Sequence, residues 1–252
     1  MSSSKPTPRH VVCVLGTWKN FAAVNRAVAR ADGFSLDTEF SILESDDRMQ
    51  NAFAACADRV DPSMTKQDLA AIDRHTAVAY IMSPPLRAAR TVEMSGRMLA
   101  IIDELLDGGA LAVKSESAGV AHGAKRWRDL AERARSTDLL ERTTGLRLAF
   151  VRRPIAFENI LYSCGMHLLG ERDIEVDHTD DPLEDVGWID LVATYLLAEK
   201  PERGVHDGEG FRQVEGGERR ILRSRECDRY EPDEFFYNPY GYWRLTSSAS
   251  AR

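Results

Sequence analysis

No Cys-x-x-Cys pair occurs among Cys13, Cys56, Cys164 and Cys227 of this 252-residue chain. That spacing argues against a zinc ribbon and a thioredoxin-type redox motif. The scattered histidines His75, His122, His167 and His178 show no His-x-x-x-His spacing, so no metal site is expected. The loop after Leu15 lacks Gly-x-Gly-x-x-Gly, which weakens dinucleotide binding, and no cofactor is expected. Long apolar runs are missing too. Residues 11–15, behind a Ser/Pro-rich start, are too short for a signal-peptide core or a membrane span, so a cytoplasmic protein is expected. Positive charge is scarce: 33 Lys and Arg stand against 40 Asp and Glu, a net charge of −7. Nucleic acid and anionic lipid are repelled on average, whereas a basic protein suits such a surface. There is no internal repeat.

The composition is otherwise that of a packed protein, 43% hydrophobic and 29% charged. Residues 1–9 read as a tail. Residues 11–15 read as a buried strand, residues 18–31 as a helix ended by Gly33, and residues 38–43 as a strand with Phe40 and Ile42 on its buried face. Asp46 and Asp47 cap a helix through Ala57, and Thr65 with Asp68 forms a capping box for another ending near Arg74. Residues 76–82 form a strand stopped by Ser83-Pro84-Pro85. Val92, Leu99, Ile102 and Leu106 then mark the stripe of a long helix ended by Gly108-Gly109. Residues 110–113 form a strand and residues 124–135 a charged helix. This order predicts a ferredoxin-like βαββαβ sandwich with helices inserted before the third strand, spanning residues 10–136. A doubly wound parallel sheet competes with it.

A second, smaller α/β lobe is expected over residues 137–245, packed on the first, with a tail at 246–252. Residues 146–151 and 160–163 read as strands and residues 177–185 as an acidic loop. Ile189, Val192, Ala193, Leu196 and Leu197 give an amphipathic helix, and Gly216-Gly217 joins a hairpin. Residues 235–244 close the chain with an aromatic cluster.

Reactive side chains concentrate around Gly165. A strand ending at Ser163 followed by a helical turn places the Cys164 thiol at a helix N-terminus, where free N–H groups favour a thiolate. His167, or His122 from further away, then supplies the base of a cysteine-dependent hydrolase or transferase. Against that, the first glycine of a Gly-x-Ser-x-Gly elbow is missing, and a buried cysteine beside a backbone-bonded histidine explains the same residues. Lys114 and Glu116 share one face of the segment after a strand, where α/β folds bind ligands; a polar turn is the plainer reading. Tyr240 and Trp243, with Tyr162, are candidate partner-binding aromatics, against simple closure of the core.

Tyr162, Gly165 and Met166, followed by Leu169-Gly170 and Asp173-Ile174-Glu175, together with the strand at 110–113 and the helix at 190–197, resemble a bacterial domain-of-unknown-function family, number 4261. Its pattern Tyr-x-x-Gly-Met does not require Cys164 or His167. The family carries no assigned activity, and the resemblance implies an immunity or adaptor role. The expected function is therefore non-enzymatic binding of a protein partner, with the Cys164 enzyme as the alternative.

Overall fold

The computed structural model describes residues 6–199 and 202–247. Strand β1 (Val11–Gly16) is buried on both faces, as its apolar run requires, and lies at the centre of a five-stranded sheet. The helix α1 (Ala22–Val28) leads to β2 (Ser35–Ile42) at the sheet edge. Two helices, α2 (Met49–Ala57) and α3 (Lys66–Asp73), precede β3 (Ala77–Met82). The long helix α4 (Thr91–Asp107) then crosses to β4 (Ala110–Ser115), and β5 (Val120–His122) folds back on it. The strand order is β2-β3-β1-β4-β5 with every neighbour antiparallel. The first four strands follow the ferredoxin-like order, with α2 and α3 inserted before the third strand and β5 added at the far edge. Antiparallel pairing excludes the doubly wound parallel alternative.

Alternation along β1 assigns the faces. Val12 and Val14 meet Leu99, Ile102 and Leu105 of α4, while Cys13 and Leu15 pack with Met49, Phe53 and Ile72 from α2 and α3. The inserted helices therefore cover the face that a plain sandwich of this type leaves open.

Three local expectations change. Trp18 does not start a helix: its indole folds back and donates to the Gly108 carbonyl at 2.8 Å, and α1 begins at Ala22. Phe40 and Ile42 are not on a buried face. The Asp37 carboxylate accepts from the Glu39 and Phe40 backbone N–H groups, the register with β3 shifts between Asp37 and Ile42, and Phe40 is left 62% exposed. Residues 146–151 are not a strand.

Residues 146–150 belong to α6 (Leu139–Phe150), which follows α5 (Ala124–Ala134) and opens the second half. Asp138 caps α6 by accepting from the Glu141 N–H at 2.8 Å. The helix buries Thr143, Leu146, Arg147, Ala149 and Phe150 at once, so its apolar residues run together and imitate a strand. Then come β6 (Arg152–Phe157), β7 (Ile160–Cys164), a 3-10 turn at Met166–Leu169, and β8 (Asp173–Asp177). The helix α7 (Pro182–Thr194) starts inside the expected acidic loop, because Asp181 caps it by accepting from the Leu183 and Glu184 N–H groups. Strands β9 (Gly210–Phe211), β10 (Arg220–Arg225) and β11 (Tyr242–Ser247) complete a six-stranded sheet of order β6-β7-β8-β11-β10-β9, in which only β8 and β11 are parallel. The β9–β10 hairpin turns through Gly216, at φ 75°.

One apolar core runs from Val12 and Val14 through Leu99, Trp127 and Phe150 to Ile174, Trp188 and Trp243. Of the two expected tails, residues 1–5 and 248–252 lie outside the described residues. The Pro8 carbonyl accepts from the Leu86 N–H at 2.7 Å, and Thr246 and Ser247 belong to β11. Among the described residues no helix is long and apolar enough to cross a membrane.

Candidate functional site

The side chains singled out in the sequence fall in separate places. Cys164 and Tyr162 project from β7 onto the outer face of the second sheet, where they pack with Tyr242 beneath Cys227, Tyr230 and Phe236 of the segment 226–241. The Tyr162 and Tyr230 hydroxyls are 2.7 Å apart. The Arg229 guanidinium stacks 4.7 Å from the Tyr162 ring and 4.8 Å from the Tyr242 ring, and is ion-paired with the buried Glu175.

Burial pushes the Cys164 thiol well up, and the neighbouring Asp173 carboxylate pushes it further. The N–H groups at the start of the 3-10 turn do not serve the thiol. The Met166 N–H donates to Asp173 Oδ1 at 3.1 Å, and the Ser163 hydroxyl donates to the same oxygen at 2.9 Å. Asn238 donates to Oδ2 at 2.7 Å from the covering segment. Burial raises the Asp173 carboxyl to about 7 although these donors pull it down. Gly165 makes the turn at φ 122°, and a Cβ there would overlap the Phe150 carbonyl.

His167 belongs to a different cluster. Its ring is buried, held down at about 4 by that burial, and set near His10. His10 Nε2 lies 2.8 Å from the Ser95 hydroxyl, which resembles a catalytic dyad. However, Ser95 donates its proton to the Leu168 carbonyl at 3.0 Å, so its oxygen accepts from His10 Nε2–H. The imidazole therefore presents a donor, not a base, and burial lowers it to about 3. Among the described residues neither His167 nor His122 is hydrogen-bonded to Cys164.

Lys114 and Glu116 stand on the outer face of the first sheet, joined at 2.6 Å. Asp37, Tyr80, Cys13 and Lys114 form one register row across β2, β3, β1 and β4. Burial pushes the Cys13 thiol up to about 12, against the pull of Lys114. The inserted helices cover the end of this face that carries Leu15 and Val78. At the other end Val11, Tyr80 and Met82 line a largely apolar groove of about 520 Å³, with Asp37, Glu116 and Arg9 around it. Phe40, turned outward by the register shift, and Phe235, 53% exposed, line it as well. A groove of that size takes one or two apolar side chains of a partner.

Phe235 belongs to the aromatic cluster near the end of the sequence, and no local spacing signals that the fold brings it into one groove with the distant Phe40. Tyr240 and Trp243 go elsewhere, to a pocket of about 200 Å³ with Leu196 and Arg172, whose guanidinium lies 4.8 Å over the Trp243 ring. His122 lines a third cavity beside Arg126. The acidic loop after β8 is engaged internally: Asp177 pairs with Arg244, Asp181 caps α7, and Asp185 accepts from Thr179. Among the described residues no three metal-ligating side chains converge.

No protein-family model matches the chain, and no curated protein or solved structure was found to be similar to it.

Proposed function

We propose that this is a non-enzymatic binding module of bacterial immunity or adaptor type, working in the cytoplasm, that holds a basic segment of a partner protein between Phe40 and Phe235. The observation that carries this reading is the groove itself. Two half-exposed phenylalanines line it together with Val11, Tyr80 and Met82, and an isolated monomer gains nothing from leaving them in water. Its charge supports a basic occupant: Asp37 and Glu116 line it beside the single cation Arg9, and Glu39 lies on the same edge strand as Asp37. The immunity character rests on the resemblance to family 4261. The cysteine-dependent alternative draws no support from Cys164, whose thiol is buried and held protonated.

The test is site-specific photocrosslinking in the producing cells. A crosslinker at Phe40 should capture one basic protein, and Phe235→Ser or moderate salt should abolish the capture. A crosslinker at the exposed Leu183, on α7, should not capture it. If both positions capture the same set, or neither captures anything, the reading fails.

A further inference from the structure

The cavity beside α5 has a different character from the groove. It measures about 430 Å³, and its apolar wall is built by Val120, Leu148, Val151 and Pro154. His122 and Arg126 line it as well. His122 is 3% exposed, and among the described residues neither of its ring nitrogens closes a hydrogen bond of good geometry. The Leu148 and Ala149 carbonyls face the ring without closing a hydrogen bond of good geometry. Among the described residues Arg126 Nε is also buried without a partner. Three polar nitrogens are thus left unsatisfied around one cavity, in a fold that satisfies most of its buried groups.

The charges around the cavity narrow what could satisfy them. Arg59 pairs with Asp58 at 3.4 Å, Arg152 pairs with Asp58 at 2.7 Å, and Arg153 pairs with Asp190. Among the described residues Arg126 makes no ion pair, and neither does Asp61 at the rim. The N-terminus of α5 is already served by Asp68, which accepts from the Ala124 N–H at 3.2 Å, so recognition falls to side chains. One guanidinium free of a carboxylate matches one negative charge, and the uncompensated Asp61 repels a second. The apolar wall favours a ligand with a hydrocarbon body.

We infer that this cavity is a binding site for a small organic monocarboxylate, with Arg126 and His122 holding the carboxylate and Val120, Leu148, Val151 and Pro154 holding its apolar body. The site is independent of the groove at Phe40. His122, present as the neutral imidazole, donates one N–H to the carboxylate. Arg126 donates its Nε–H, and the ligand thereby satisfies the two N–H donors among the three open nitrogens.

The experiment is an NMR titration of the full chain with isovalerate and, separately, with inorganic phosphate, following the His122 ring and Arg126 Nε resonances. Isovalerate should shift both resonances saturably and more tightly than phosphate does. Arg126→Gln should weaken isovalerate at least about tenfold, the scale of a lost charge-assisted hydrogen bond. Lys125→Gln removes an adjacent charge that is already paired with Asp129 and should leave the affinity unchanged. The native titration does not depend on any variant folding. Absence of a saturable shift overturns the inference, as do equal losses in the two variants. Preference for phosphate overturns the monocarboxylate assignment.

Discussion

Asn238 Nδ2 donates to Asp173 Oδ2 at 2.7 Å, and to the Glu171 carbonyl at 3.1 Å, so one side chain fastens the segment 226–241 to the corner between β7 and β8. That segment carries Arg229, Tyr230, Phe235 and Phe236, and so couples the aromatic cluster of the second sheet to the groove of the first. Asn238→Ala leaves a buried carboxylate short of a donor and should cost about 1–3 kcal/mol. Urea unfolding measures the loss. Hydrogen exchange in residues 230–240 should accelerate more than exchange in β1.

Three buried imidazoles and one buried carboxyl set the response to acid, and their signs differ. His10, His122 and His167 are held by burial at about 3, 4 and 4, below the unfolded value, so the unfolded chain binds more protons below pH about 6.5. Their contribution to stability is present above that pH and is lost as pH falls toward 4. Asp173, raised to about 7, acts oppositely: its contribution is greatest below pH about 4 and is lost as pH rises to 7. Three groups against one make the protein acid-labile. Stability should fall between pH about 6.5 and 4 with a slope of up to roughly two protons, each worth about 1.4 kcal/mol per pH unit. Asp173→Asn should steepen the fall and His10→Gln should make it shallower. Urea midpoints across this range check both.

Lys114 and Glu116 form an ion pair in which the lysine side chain is 7% exposed. Glu116→Ala strands the ammonium over Phe53, 5.9 Å from the ring centre, and should cost about 3–5 kcal/mol. Replacing both, with Lys114→Met and Glu116→Leu, should cost much less, since no buried charge remains. A double-mutant cycle read by chemical denaturation separates the two outcomes.

The four thiols differ in access. Cys164 and Cys13 are buried, and Cys56 and Cys227 are partly exposed. Iodoacetamide at neutral pH should therefore modify Cys56 and Cys227 first, and Cys164 only on the timescale of opening of the segment above it. Selective early labelling of Cys164 would restore the enzyme reading.

Much of the first sheet was legible because its signals are local. The apolar run at Val11, the stripe through Leu99 and Ile102 and the Thr65–Asp68 box each state their element within a few residues. The second half concealed α6, because a helix buried around Leu146, Arg147 and Phe150 loses the polar face that betrays a helix in sequence. The candidate site was legible only in fragments. Phe40 reads as a strand residue facing the core, and only the Asp37 turn, which depends on the register with β3, sends it outward. The groove joins Val11, Tyr80, Glu116 and Phe235, contributed by four distant stretches. The unsatisfied His122 is likewise a property of what surrounds it, which spacing does not encode.

In the second sheet β11 lies between β8 and β10, paired to β10 along its whole length and to β8 over Tyr242–Leu245. A ribosome that has made everything up to Gly241 has made a protein whose second sheet is in two pieces, each with an open edge. Folding of this half therefore waits for a strand that begins 65 residues after the end of β8. A premature stop in that interval would yield an aggregation-prone species, not a shortened version of the same protein.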